Sequence, residues 1–178
     1  LLAGLVTPGE LGVYSVAFLI ISVLQGLVTN LNSSVILPIF SRSLRSPTPN
    51  LKNEYYKYRL WLDLVILSSV GFFVVTSELI IGILYDSRYI NAGHIMAVLS
   101  LTLIPLRFTM IEQYFLAIGK PGITTKLNAI RTIALFILIP AGYWIFSFNG
   151  ALYGIVLSHF ISVPYSFFLK YKHDLLSV

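Results

Sequence analysis

The sequence predicts an all-α, polytopic membrane helix bundle, and three observations carry that prediction. Of 178 residues, 57% are hydrophobic and only 11% charged, with a mean hydropathy of +0.85, whereas an average globular domain carries about 25% charged residues. So few charges could not cover a soluble fold without large apolar patches. The apolar residues also fall into runs near the ~20 residues that a membrane helix needs. Finally, runs such as Val13-Tyr14-Ser15-Val16-Ala17-Phe18-Leu19-Ile20-Ile21 do not alternate apolar with polar, as the strands of an outer-membrane barrel must. Together these exclude a disordered tail, a nucleic-acid module and an ordinary soluble enzyme.

Five spans are expected, at roughly 11–37, 60–83, 92–118, 124–146 and 150–169. The first carries a polar interruption, Thr29 to Ser34, followed by Pro38. Pro8-Gly9 and Gly119-Lys120-Pro121-Gly122 read as sharp turns, because Pro cannot continue a hydrogen-bonded helix and Gly accepts positive φ. Asp86 is placed to cap the third helix. Gly150 and Gly154 form a Gly-x-x-x-Gly suited to close helix contact. One transmembrane domain over 1–178 is expected, with a basic loop at 41–59. The chain opens inside an apolar stretch, Leu1 to Val6, and is read as part of a longer protein whose earlier helix precedes it.

Charge placement orients the spans. Arg42, Arg45, Lys52, Lys57 and Arg59 precede the second span, Lys120 and Lys126 the fourth, and Lys170 and Lys172 follow the last. These nine of the 12 Lys and Arg fall in alternate connections, so by the positive-inside rule that side, including 41–59 and the C-terminus, is cytoplasmic. Its basic residues suit anionic lipid heads. Tyr55, Tyr56, Tyr58 and Trp61 at one boundary, and Tyr85, Tyr89, Tyr143 and Trp144 at the other, read as interfacial anchors or packing residues. Cysteine is absent, which excludes disulfides, thiolate metal sites and a cysteine nucleophile.

The connections themselves are recognisable. Leu5-Val6-Thr7-Pro8-Gly9-Glu10-Leu11-Gly12-Val13-Tyr14 resembles the Leu-x-Ser/Thr-Pro-x-x-x-Gly-x-Tyr segment between the first two helices of a lobe in bacterial oligosaccharide flippases. These form the Wzx-like, lipopolysaccharide and O-antigen branch of the MATE-like flippase superfamily. Pro38-Ile39-Phe40-Ser41-Arg42 is similar to that family's Pro-x-x-Ser-Arg helix ending. Leu84-Tyr85-Asp86-Ser87-Arg88-Tyr89, Gly119-Lys120-Pro121 with Asn128 and Arg131, and Asn149-Gly150-Ala151-Leu152-Tyr153-Gly154 follow in the family's order. The resemblance implies about five helices of a six-helix lobe, paired with a second lobe around a central cavity. It also implies a polyprenyl-diphosphate-linked oligosaccharide as substrate, moved across the bacterial inner membrane by alternating access.

A charge at mid-bilayer costs at least ~2.5–3.5 kcal/mol, so each one asks for a partner or a purpose. Arg107 lies about 16 Å from its helix end, near the midplane. Its guanidinium suits a diphosphate, or else an internal pair or the carbonyls freed beside Pro105. Glu112 and Arg131 fall at one depth on successive antiparallel spans and read either as a salt bridge or as ion-coupling and substrate groups, with Asn128 beside them. Asp63 follows Arg59 in i,i+4 register, a helix-stabilising pair. Glu78 and His159 are further ion-coupling candidates, against solvation and hydrogen-bonded packing respectively. His94 and His173 lie at boundaries without metal-ligand spacing.

No nucleophile-base pair, paired carboxylates or metal spacing points to an enzyme, and no cofactor is expected. The expected partners are the lipid-linked oligosaccharide, membrane lipids, a second lobe, and a polysaccharide polymerase or glycosyltransferases. Two rival readings are a non-transporting scaffold subunit of a polysaccharide assembly complex and a MATE-like drug or cation antiporter.

Overall fold

Regular structure in the first span begins at Thr7. In the computed structural model, which describes residues 2–46 and 51–172, the Thr7 side chain accepts from the Glu10 amide, and the Glu10 carboxylate accepts from the Thr7 amide at 2.9 Å. This reciprocal cap, with Pro8 at the first helical position, starts α1, Pro8–Leu31. Pro8-Gly9 therefore opens a helix and does not itself make the turn. The expected interruption is a π-helical turn, Asn32–Ile36, which runs on without a break into α2, Leu37–Leu44. Pro38 has no N–H for the Ser34 carbonyl, and the widened turn accommodates its ring.

The second long helix, α3, is Leu51–Leu84. Helix thus runs to Leu44 and resumes at Leu51, so little of 41–59 is loop; 47–50 lie outside the described residues. A 3-10 turn, Ser87–Tyr89, leads to a composite third span: α4, Asn91–Ser100, a 3-10 stretch, Leu101–Phe108, and α5, Thr109–Ala117. Pro105 sits within the 3-10 stretch. Asp86 has the extended backbone of a cap, but its side chain makes no capping hydrogen bond and instead lies 3.9 Å from Arg88. Gly119 turns the chain at φ +74°, as the Gly-Lys-Pro-Gly sequence predicts.

Four apolar segments are long enough to cross a membrane: Pro8–Leu44, Asn53–Leu84, Asn91–Ala117 and Pro121–Leu169. The last contains both remaining expected spans. It is built from α6, Pro121–Phe160, and α7, Ser162–Lys172, and α6 leaves helical geometry at Phe146 and Ser147. There the chain folds back on itself. A Cβ on Gly142 would strike the Gly150 carbonyl, and one on Gly154 would strike the Leu138 carbonyl, so the two arms lie antiparallel with their backbones touching. Gly150 and Gly154 thus pack against the preceding arm of their own hairpin.

The third span is the hub. Of its most apolar stretch 67% is buried, against 22% or less in the others. It packs against α1, α3 and α6, with Met96, Leu99, Leu103 and Met110 in the core. The outer helices turn Leu60, Leu64, Val75, Leu79, Phe136 and Ile137 outward, the arrangement expected when lipid is the solvent. Trp61 and Trp144 are also exposed, consistent with anchoring, but Tyr55 is fully buried and stacks on Phe40 at 6.3 Å. It is a core residue because α3 starts at Leu51, before the expected boundary.

The chain weaves between two ends. Pro8 to Val13, Arg88 to Ile95 and the Phe148-Asn149 turn meet around one cavity. At the other end Phe40 of α2 meets Tyr55 and Tyr114, and Phe115 packs with Leu127 and Leu169. Arg42, Arg45, Lys57, Arg59, Lys120 and Lys126 belong to this basic end.

Candidate functional site

Arg107 is not free. Its Nη2 donates to Asp63 Oδ2 at 2.6 Å, and Arg59 Nε lies 3.5 Å from the same oxygen. The expected Arg59–Asp63 pair is therefore present, but as part of a triad of two guanidiniums and one carboxylate. Asp63 lies about 18 Å along α3 at 1.5 Å per residue, deeper than a helix starting near 60 would place it. That added length is why it meets the 3-10 stretch carrying Arg107. Asp63 Oδ1 and Arg107 Nε are buried and make no hydrogen bond among the described residues. The triad carries one uncompensated positive charge.

Glu112 and Arg131 also meet. Arg131 Nη2 donates to Glu112 Oε1 at 2.8 Å, and its Nε donates to Ser162 Oγ at 3.0 Å. The carboxylate comes from α5, the guanidinium from the first arm of α6 and the hydroxyl from α7. This neutral cluster ties the hairpin to the hub. Asn128, one turn before Arg131, is exposed and lies outside the cluster, and Glu78 is exposed toward the far end of α3. Gly93 packs so closely on α3 that a Cβ there would lie 2.8 Å from Glu78 Cα.

His159 Nδ1 lies 2.9 Å from the Ile155 carbonyl, which can only accept, so Nδ1 carries the proton. The ring borders a cavity of about 40 Å³ shared with Gln25 and Thr102. His173 lies outside the described residues. No cluster of three or more His, Cys, Asp or Glu able to hold a metal occurs among the described residues.

Two further polar pairs join α1 to the hub. Gln25 Nε2 donates to Thr102 Oγ1 at 2.9 Å, and Asn32 Nδ2 donates to Thr109 Oγ1 at 2.8 Å. Their signal was available: polar residues seven apart in one span face polar residues seven apart in another, as two parallel helices require. Ser162 had no such signal, since mid-membrane serines usually bond their own helix.

Each end holds a cavity. The basic end has one of about 660 Å³ lined by Arg42, Arg45, Ser43, Ser46, Glu54 and Tyr58. The opposite end has one of about 730 Å³. A helical bundle with most of its Lys and Arg at one end and two ion clusters inside it has the construction of a polytopic membrane protein. Residues 1–94 match a family model described as polysaccharide biosynthesis protein. The chain belongs to that family. No curated protein and no solved structure matches it. Within this polysaccharide biosynthesis protein, the match covers Arg59, Asp63 and Glu78, while Arg107, Glu112, Asn128, Arg131 and His159 lie beyond it. The triad therefore joins the matched part of the chain to the remainder.

Proposed function

We propose that this chain is a lobe of a flippase that moves polyprenyl-diphosphate-linked oligosaccharide, a precursor of surface polysaccharide such as O-antigen, across the bacterial inner membrane. The basic end faces the cytoplasm, and the lobe rocks against a second one to give alternating access, with no covalent step. Membership of the polysaccharide biosynthesis family and the polytopic helical bundle support this reading. The observation that carries it is the Arg59–Asp63–Arg107 triad. A diphosphate is the ligand whose charge a surplus guanidinium at depth complements, with paired oxygens for its donors. Exposed polar positions on α1 (Ser15, Thr29, Asn30), on the π-helical turn after it (Ser33) and on α6 (Thr125, Asn128, Thr132) give the second lobe and a hydrated path a surface to face. Membrane lipids, a polymerase and glycosyltransferases are the remaining partners of such a system.

The test is complementation of surface-polysaccharide export. Arg107→Ala is expected to abolish it at normal membrane expression. Full export by that variant overturns the assignment of Arg107 to the diphosphate.

A further inference from the structure

The two end cavities differ in chemistry, and the weakly charged one is a site of its own. Three separate parts of the chain build it: the start of α1 (Pro8, Gly9, Glu10), the turn into α4 (Arg88, Tyr89, Asn91, His94), and the hairpin turn of α6 (Phe148, Asn149). At about 730 Å³ it falls within the roughly 300–1,000 Å³ of small-molecule sites. Of its two opposite charges, Glu10 is engaged in a helix cap, whereas Arg88 is largely exposed beside a carboxylate. The Glu10 carboxylate accepts from the Thr7 amide and hydroxyl, both at 2.9 Å, and Arg88 lies 3.9 Å from Asp86.

Besides Arg88, the cavity offers neutral hydrogen-bonding capacity. The Asn91 and Asn149 amides and the His94 imidazole make no side-chain hydrogen bonds among the described residues. Each amide offers both donors and acceptors, the combination that sugar hydroxyls need. Tyr89, in ring contact with Tyr85, and Phe148 both pack against the core and give the cavity an aromatic border for the apolar face of a pyranose. A phosphate would find better partners at the opposite end, beside Arg42 and Arg45.

We infer that this cavity binds one or a few sugar residues of the oligosaccharide head group on the side of the membrane opposite the basic end. The inference rests on the flippase reading and deepens it. The diphosphate is held by guanidiniums, while the glycan is received separately by amides and aromatic rings at the far mouth.

The experiment is saturation-transfer NMR on the purified protein in detergent. The probe is the free oligosaccharide repeat released from the host's own surface polysaccharide, which lacks both diphosphate and lipid. The native protein is expected to bind it, Asn91→Ala with Asn149→Ala to weaken binding at least tenfold, and Asn149→Ala alone several-fold. Val75→Ala, on the exposed side of α3, is expected to leave binding within twofold. A thermal midpoint within a few degrees of native establishes that each variant is folded. No binding by the native protein, or equal binding by the folded double variant, overturns the site. If binding fails while export still depends on Arg107, the cavity assignment falls and the transport reading stands. If the probe binds in an Asn91-dependent way while export ignores Arg107, the diphosphate assignment falls and the sugar site stands.

Discussion

The two ion clusters inside this bundle use the same chemistry with different arithmetic. Glu112 and Arg131 are one anion and one cation, and Ser162 takes a further guanidinium donor. Asp63 is one anion between Arg59 and Arg107, with one carboxylate oxygen and one guanidinium nitrogen buried without a hydrogen bond. The first cluster is closed and joins α5, α6 and α7. The second is open and joins α3 to a 3-10 stretch, the least regular part of the hub. A closed pair in a low-dielectric setting leaves no net charge, whereas a charge left over there is costly to keep.

The largest loss of stability is expected where one substitution strands two cations. Asp63→Ala leaves Arg59 and Arg107 facing each other across a part-buried gap. Removing one member of a buried pair typically costs about 3–5 kcal/mol, and this variant belongs at the upper end of that range. Reversible unfolding in mixed micelles measures it. A cost no larger than that of removing Glu112 would mean that the second guanidinium is already solvated, and the contrast between the clusters would vanish.

Glu112→Ala comes next, at about 3 kcal/mol, because it strands a single guanidinium that Ser162 still partly satisfies. The closed cluster also predicts a rescue. Replacing the whole pair by Glu112→Leu with Arg131→Met is expected to recover most of the loss, since a neutral buried pair exchanges for apolar side chains at little net cost. Export by the rescued double variant is expected to follow the amount of folded protein. A rescued, folded but export-dead variant would move this pair from packing to transport.

Much of this was legible from the residues. Because a lipid solvent forces apolar surface and closed backbone hydrogen bonding, composition and run length predict the helical bundle and where its apolar segments fall, though the last two expected spans share one segment, Pro121–Leu169. The Glu112–Arg131 pair was legible too, since both residues fall at one depth on neighbouring antiparallel spans. The triad was half legible. Arg59 and Asp63 share a helix, so their spacing announces the pair, but Arg107 is 44 residues from Asp63 and joins it only because α3 extends back to Leu51. Depth counted from an apolar run mistakes such a helix end, as the burial of Tyr55 also shows. The hairpin cavity was not legible at all, since Asn149 and Asn91 are ordinary turn and helix-start residues until the fold brings them together.

The smallest stability change, and the sharpest use of the contrast, is Arg59→Gln. It converts the open triad into a one-to-one Asp63–Arg107 pair and so makes the second cluster resemble the first. Arg59 lies 3.5 Å from Asp63 and is only 17% exposed, but Asp63 keeps its shorter bond to Arg107, a like charge is removed, and Gln keeps the helix and a donor. Unfolding should therefore shift by less than about 1 kcal/mol. Export should nonetheless fall several-fold, because the surplus positive charge is gone although Arg107 remains. Binding of the free oligosaccharide at the far cavity should be untouched, since nothing there contacts α3 near Arg59. Export at the native level would show that Arg107 alone, without a surplus charge, meets the substrate, and the open cluster would then be as structural as the closed one.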